Sequence, residues 1–145
     1  MKNAATGNSP SISATGSDTN VGIDISTKGT GLVRLQNAAY NTEATLTDGA
    51  TINWTVNTSP VAKVTLGGNR TLAAPTGGAT GQFVSLLVIQ DGTGSRTLTF
   101  NGVYEFRNNS APTLTTTASR GDLFVFRYNG TKYLEVGRNL NLVLS

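Results

Sequence analysis

Short runs of alternating apolar and polar residues, cut by turn sequences, recur along most of this chain. After residue 43 these runs follow one another every eight to twelve residues or so, a spacing typical of antiparallel β-sandwiches and barrels. Asn-Gly and Asp-Gly pairs between the runs supply the positive φ angles that tight turns require. No window shows a sustained helical period bounded by caps. The pattern predicts an all-β protein in which residues 43–145 form an antiparallel, jelly-roll-like β-sandwich.

Several segments carry more specific predictions about strand position and pairing. Residues 83–89 are almost wholly apolar, so we expect a central strand with both faces buried. Phe124, Phe126 and Tyr128 alternate along one run and should share one face of the core. Two hairpins are predicted across Asn-Gly turns, namely residues 97–100 with 104–106 across Asn101, and residues 123–128 with 132–136 across Asn129.

The N-terminal part of the chain differs in composition from the rest. Residues 1–20 hold only scattered apolar side chains, too few to offset the entropy cost of ordering the backbone alone, and we interpret them as an extended arm. Residues 21–25 and 32–35 flank a Lys-Gly-Thr-Gly turn, which predicts a small β-hairpin followed by a linker. The predicted organisation is an arm over 1–20, a hairpin segment with linker over 21–42 and a sandwich over 43–145.

The chain contains no cysteine and no histidine, which removes most of the common catalytic and metal-binding chemistry. Thiolate nucleophiles, disulfides, cysteine-ligated zinc and Ser-His-Asp triads are excluded. The carboxylates are dispersed along the sequence, and Asp122 with Glu135, on strands expected to pair, is the best candidate for a glycosidase-type pair. A solvated strand face explains the same two residues more simply. We therefore predict neither enzyme activity nor a cofactor.

The net charge of +3 comes from basic residues scattered singly along the chain. Because no short window concentrates them, the sequence does not favour nucleic-acid binding. The apolar run at residues 83–89 is far shorter than the about 20 residues that span a membrane. The N-terminal segment lacks the apolar stretch of a secretion signal. We expect no nucleic-acid partner and no membrane partner.

Two local patterns are compatible with ligand sites, each with a simpler structural explanation. Asp18, Asn20 and Asp24 match part of a calcium loop, but the further carboxylates and terminal Glu of that loop are absent, which favours an ordinary polar turn. Tyr40 and Trp54 could offer aromatic faces to a sugar. Packing in a core or an interface is the simpler interpretation of both. We predict no metal site.

Residues 16–34 hold the motif Gly-Ser-Asp-Thr-Asn-Val followed by Lys-Gly-Thr-Gly-Leu-Val-Arg. This segment resembles a recurring module of tailed-bacteriophage virion proteins. Residues 44–142 are similar to a C-terminal β-domain of phage tail fibres, head fibres and capsid decoration proteins. The stretches that carry this similarity are Thr51-Ile52-Asn53-Trp54, the runs from Val64 to Leu72 and from Gln90 to Phe100, and Ala111-Pro112-Thr113-Leu114.

The resemblance implies a homotrimer with intertwined N-terminal strands and sandwich domains around a threefold axis. An isolated hairpin is marginal in water, and pairing with copies of itself would complete a core. The expected trimer interface consists of the apolar residues of the hairpin segment and one tryptophan, namely Val21, Ile23, Ile25, Leu32, Val33, Leu35 and Trp54.

Among these virion proteins, we expect a capsid decoration (cement) protein. If residues 1–145, which begin with Met1, are a whole gene product, they leave no room for the adaptor, shaft and tip of a tail fibre. The trimer would bind the outside of the head, bridge neighbouring subunits of the major capsid protein and stabilise the shell. Its extended arms would contact the capsid through Asn3, Asn8, Pro10 and Ile12.

A short head-fibre or tail-fibre component that attaches to the host surface is the alternative. Such a protein would bind a host surface glycan or receptor through exposed loops, here residues 76–81 and 108–118. A β-sandwich carbohydrate-binding module from a non-viral source is a third interpretation. Binding assays on capsids and on host cells separate the first two.

Overall fold

The computed structural model describes residues 11–144, in which all strands lie between Ala44 and Val143. The strands are β1 (Ala44–Thr45), β2 (Thr51–Ile52), β3 (Val61–Leu66), β4 (Arg70–Leu72), β5 (Phe83–Gln90), β6 (Leu98–Phe100), β7 (Tyr104–Glu105), β8 (Arg120–Tyr128) and β9 (Tyr133–Val143). A 3-10 helix at Arg107–Asn109 is the helical element of this part of the chain, which therefore contains no helix that could cross a membrane. The all-β prediction is confirmed.

The first six strands alternate between two sheets, so that each of three successive coils adds one strand to each sheet. In the larger sheet β1, β3 and β5 are parallel neighbours, and Ala62 lies opposite both Ala44 and Leu86. In the smaller sheet β2, β4 and β6 are parallel in the same order. Parallel coils stacked in this way form a short β-solenoid, in which each coil packs on the next.

Antiparallel pairing is confined to the second half of the larger sheet, whose order is β1-β3-β5-β8-β9-β7. β8 runs antiparallel to β5 and to β9, whereas β7 is parallel to the start of β9. The strand pairing thus differs from the predicted antiparallel sandwich. The physical reason is that a turn sequence such as Gly67-Gly68-Asn69 can either reverse a strand within one sheet or lead the chain into another sheet. Here the turn leads from β3 in the larger sheet to β4 in the smaller sheet.

The core lies between the two sheets and is filled from alternate positions of the strands. The largest fully buried apolar side chains include Trp54, Phe124, Phe126, Ile52, Leu66, Leu72, Leu86, Val56, Val64 and Val88. Phe124 and Phe126 lie on one face of β8, and Tyr128 packs partly buried against the same core, as predicted. Phe100 contacts Phe106 and Phe124 edge to face, with ring centroids 4.9 and 5.5 Å apart.

Trp54 lies in this core and is 1% exposed. Its indole N–H donates a hydrogen bond to the carbonyl oxygen of Ser59 at 2.7 Å. Residues 51–56 alternate between exposed and buried, which turns Trp54 inward between Ile52 and Val56. Trp54 was expected at a trimer interface, but its side chain is buried within its own protomer and packs in the core rather than facing outward. For the same reason it offers no face to a sugar.

β5 is central, as predicted, but its two faces differ. It lies between β3 and β8, and Val84, Leu86 and Val88 are buried in the core. The residues between them, on the opposite face, are only partly buried, and Phe83 is 58% exposed. The expectation that both faces are buried is not met within one chain.

The two predicted hairpins have different outcomes. β8 and β9 pair across the turn at Asn129 and Gly130, with Tyr128 opposite Tyr133, which confirms the second hairpin. At Asn101 the turn is present, since the Tyr104 N–H donates to the Asn101 carbonyl oxygen at 3.0 Å. The flanking strands do not pair, however, because β6 belongs to the smaller sheet and β7 to the larger.

The chain divides into two units, residues 1–39 and residues 40–145. In the first unit, the described residues 11–39 are exposed and contain no strand. The predicted turn between residues 28 and 31 is present, with the Gly31 N–H donating to the Lys28 carbonyl oxygen at 3.2 Å. Residues 21–25 and 32–35 do not pair across it within the single chain. Their pairing in a trimer stays a prediction.

Candidate functional site

A groove of about 450 Å³ runs along the first coil of the solenoid. We call it the first-coil groove. Its lining is mostly hydroxyl, amide and backbone groups, together with one leucine and one aspartate, from Thr45, Leu46, Thr47, Asp48, Gly49, Thr51, Asn53, Thr55, Thr58 and Ser59. Ligand sites commonly have volumes of about 300–1,000 Å³, so the groove has the capacity for a small molecule or a few sugar units.

The groove exists because the first coil is the end of the stack. β1 and β2 are the outermost strands of their sheets, so one backbone edge of each is left open. Residues 51–56 send their apolar side chains into the core, which leaves Thr51, Asn53 and Thr55 on the outside. The alternation that builds the core therefore also places the polar side chains along the open edge.

An ion pair fixes one end of the groove. The Arg70 guanidinium donates to both carboxylate oxygens of Asp48, with Nε to Oδ1 at 2.8 Å and Nη2 to Oδ2 at 2.6 Å. The Gly67 N–H donates to Oδ2 at 3.3 Å. Arg70, and to a smaller extent the Gly67 N–H, hold the pKa of Asp48 below its usual value. The charged residue that lines the groove is thus neutralised by its partner.

The other end of the groove is held by the second coil. The Thr76 N–H donates to the Trp54 carbonyl oxygen at 3.0 Å, and the Val56 N–H donates to the Thr76 carbonyl oxygen at 2.9 Å. The Thr58 hydroxyl donates to the Thr55 carbonyl oxygen at 3.2 Å. These bonds fix the backbone on which the groove's hydroxyl groups stand, so a ligand would meet a preorganised surface.

Acid should destabilise the fold through two carboxylate–arginine pairs. Arg96 lowers the pKa of Asp91 as Arg70 lowers that of Asp48. Their stabilising contribution is present above the pKa of the unfolded chain, 3.8, and is lost as the pH falls through the lower folded values. The midpoint of thermal unfolding should therefore fall on acidification below about pH 4. In an Asp48→Asn, Asp91→Asn double variant it should be lower at pH 7 and less sensitive to acid.

Calorimetry or circular dichroism from pH 7 to pH 2 measures this dependence. Asp18→Asn, at an exposed position of the first unit, is the control. An acid slope unchanged in the double variant would show that other groups are responsible.

A second polar surface lies at the end of the larger sheet where β8 turns into β9. The loop at residues 76–81 reaches this turn, since the Gly81 N–H donates to the Tyr128 carbonyl oxygen at 2.8 Å. The rings of Tyr128 and Tyr133 stack with centroids 4.5 Å apart. Burial raises the pKa of the Tyr133 hydroxyl above its usual value.

The structure separates residues 76–81 from the end of the 108–118 loop, two segments that were predicted to bind a receptor. Residues 76–81 lie beside the β8–β9 turn, whereas the end of the 108–118 loop lies beside the turn after β5. There the Ser95 N–H donates to the Thr116 carbonyl oxygen at 2.8 Å. Because β8 runs antiparallel to β5, these contacts place residues 76–81 and Thr116 at opposite ends of the larger sheet.

Asp122 and Glu135 are also apart. Glu135 lies opposite Phe126, four residues along β8 from Asp122, or about 13 Å of extended strand. Asp122 is 2% exposed and accepts hydrogen bonds from the Thr115 N–H and hydroxyl, each at 2.7 Å, and from the Asn141 N–H at 2.9 Å. Glu135 pairs with Arg138 at 2.7 Å. The carboxylates serve separate structural contacts and do not form a glycosidase pair.

The remaining predicted site residues belong to the N-terminal unit. Asn3, Asn8 and Pro10 lie outside the described residues, and Ile12 is exposed. The hairpin-segment residues are all exposed, namely Val21, Ile23, Ile25, Leu32, Val33 and Leu35. Across residues 11–144, no group of three acidic side chains comes close enough together to hold a metal ion.

The first-coil groove was not predicted from the sequence. The signal for it is the alternation of polar residues at 45, 47, 51, 53 and 55. What makes them a groove is the position of their coil at the end of the stack, which depends on parallel pairing with residues far along the chain.

Comparison with known proteins identifies the family. A family model described as "Putative phage tail fibre C-terminal domain" matches residues 41–133, which is well over half of the chain and includes all six strands of the solenoid. No curated protein and no solved structure matches the chain. The chain belongs to this family of phage tail fibre C-terminal domains and is a structural component of a phage virion.

Proposed function

We propose that this protein is a tail-fibre component that contacts the host surface, and that the first-coil groove binds a neutral glycan there. The family match supports a tail fibre over the capsid decoration protein expected at first. The observation that carries the proposal is the lining of the groove, where hydroxyl and amide side chains stand on a fixed backbone.

The chemistry of the lining selects the class of ligand. Threonine and serine hydroxyls both donate and accept hydrogen bonds, and an asparagine amide donates through its nitrogen and accepts through its oxygen. Sugar hydroxyls need partners of both kinds. Because Asp48 is paired with Arg70, the groove presents little net charge. A neutral saccharide therefore fits better than a phosphorylated or sulfated one.

The proposal includes a homotrimer. Exposed apolar residues at 21–35 support it, since they lack partners within the described part of the chain and an isolated segment of this size gains little by ordering alone. Three grooves on one body would raise the effective concentration of the second and third contacts, so that weak single contacts add up to firm adhesion.

The test is a binding assay with the purified full chain on host cells and, in parallel, on capsids that lack it. We expect binding to cells and not to capsids. Asn53→Arg places a long charged side chain in the groove and should reduce cell binding at least tenfold, without loss of fold because the position is exposed. Thr99→Arg is the matched control, at an exposed position on the far strand of the same small sheet.

Each outcome distinguishes one part of the proposal. Binding to capsids alone would overturn it in favour of a decoration protein that contacts the major capsid protein. If Asn53→Arg binds cells as well as the wild-type chain does, the groove is not the binding site, and the surface at the β8–β9 turn is the next candidate. Competition by free neutral oligosaccharides extracted from the host envelope tests the class of ligand, and competition by charged ones alone would contradict it.

A further inference from the structure

The outer face of the larger sheet, which points away from the core, carries a continuous set of apolar side chains. We call it the open face. Phe83 and Val136 are each 58% exposed on it, and partly buried apolar residues lie between them, namely Val61, Leu87, Ile89, Leu123 and Val125. Register places Leu87 opposite Leu123 and Ser85 opposite Val125, so these side chains are neighbours across β5 and β8.

The open face is somewhat smaller than one side of a standard protein interface. Four strands, β3, β5, β8 and β9, cover roughly 500 Å² in projection at the usual strand spacing and rise. Each partner in a standard protein interface contributes about 800 Å² of accessible surface, a quantity of the same order. The largest apolar patch on a typical monomer measures about 300–600 Å² and is often a functional surface, so a face of this size is a candidate interface.

The relief of the open face includes both protrusions and depressions. Val125 separates two shallow depressions of about 330 and 240 Å³. Val136 borders the first, and Phe83 borders the second, beside Pro60 and Val61. A surface that presents a protruding apolar side chain next to a depression of similar character can pack against another copy of itself.

The distribution of charge also favours a second copy. Copies that each carry a net charge of +3 repel one another, so they can meet only through a surface with few unpaired cations. On the open face Lys63 is paired with Glu43 at 2.7 Å, and Arg127 lies at the border opposite Phe83. Arg138, which lines the first depression, is likewise paired with Glu135 at 2.7 Å.

We propose that the open face is the surface through which the C-terminal β-domains of two copies of this chain contact one another. This contact deepens the proposed function, because it rests on the multimer stated there and locates one of its interfaces. It differs from the interface expected from the resemblance, which involved the N-terminal strands and Trp54.

The test is the mass of the full chain in solution, measured by light scattering after size exclusion and by sedimentation over a range of concentrations. The wild-type chain should have a multiple of its 15.1 kDa mass. Val125→Lys places a cation at the centre of the face and should weaken association at least a hundredfold. Phe83→Gln changes an exposed side chain without touching the core and should weaken it about tenfold. Thr99→Lys, on the smaller sheet, is the control for added charge.

The outcomes separate this inference from the proposed function. If both variants fold, by circular dichroism, and keep the wild-type mass, the open face is not the interface while the multimer stands. If the wild-type chain is a monomer at all concentrations, the inference and the homotrimer both fall, and the glycan groove is then judged by the cell-binding assay alone. Dissociation by Phe83→Gln supports the inference even if Val125→Lys fails to fold.

Discussion

Replacing Trp54 by alanine should lower the free energy of unfolding by about 3–5 kcal/mol. The substitution removes the largest fully buried side chain and leaves a cavity between the sheets. It also removes the hydrogen bond to the Ser59 carbonyl oxygen. Since small domains are commonly stable by about 5–15 kcal/mol, this is a large share of the total. The change is measured by denaturant unfolding at a fixed protein concentration. Far-ultraviolet circular dichroism follows the transition, because its signal comes from the backbone and does not require the tryptophan.

Tyr40→Ala is the control, because Tyr40 is 87% exposed and its removal should change stability little. From sequence, Tyr40 and Trp54 were both interpreted as residues that pack in a core or an interface. The two variants therefore test whether each side chain stabilises the fold of one chain or a contact between chains. A Trp54→Ala protein that keeps wild-type stability but loses its multimeric mass would show that the side chain acts between copies after all.

Asp122→Asn should cost about 3 kcal/mol, or roughly 10 °C in the midpoint of thermal unfolding for a domain of this size. The carboxylate of Asp122 accepts three hydrogen bonds that join β8 to the loop at Thr115 and to β9 at Asn141. An amide of the same shape has one oxygen, so its NH₂ group must face an N–H donor in a site that excludes water. The loss of charge-assisted bonds and the donor-to-donor contact act in the same direction.

Asp24→Asn is the matched control, because Asp24 is exposed in the N-terminal unit. The measurement is thermal unfolding of both variants at pH 7. Unchanged stability in Asp122→Asn would show that the three bonds are weak in solution and would reopen the question of why a carboxylate is buried there.

Local chemistry explains which parts of the fold could be predicted. Asn129-Gly130 lies between two runs of strand-forming residues that are adjacent in sequence, and the hairpin follows because closing a short loop costs little entropy. Asn101-Gly102 has the same turn chemistry and makes the same turn, yet its flanking strands enter different sheets. Which sheet a strand joins depends on partners more distant in sequence, such as Thr71 and Thr99, which no local pattern specifies.

The candidate sites also divide into features that the sequence predicts and features that depend on long-range pairing. The absence of His and Cys, and the dispersal of the carboxylates, argued against most catalytic chemistry from composition alone. The separation of Asp122 from Glu135 depended on the register of β8 with β9, where bulges shift the pairing. Polar alternation was visible in residues 45–55, but a groove requires those residues to occupy the end of a stack.

By itself the sequence determined that this chain is built of short strands and turns, which residues alternate between core and surface, and that it resembles phage virion proteins. Those properties follow from side-chain period and turn preferences, which act over a few residues. Only the tertiary structure decided that the strands stack as parallel coils, that Trp54 lies inside, and that the first-coil groove and the open face are left uncovered. Parallel pairing joins residues 18 or more positions apart, as with Ala44 and Ala62, and that choice depends on the packing of the whole core rather than on any one segment.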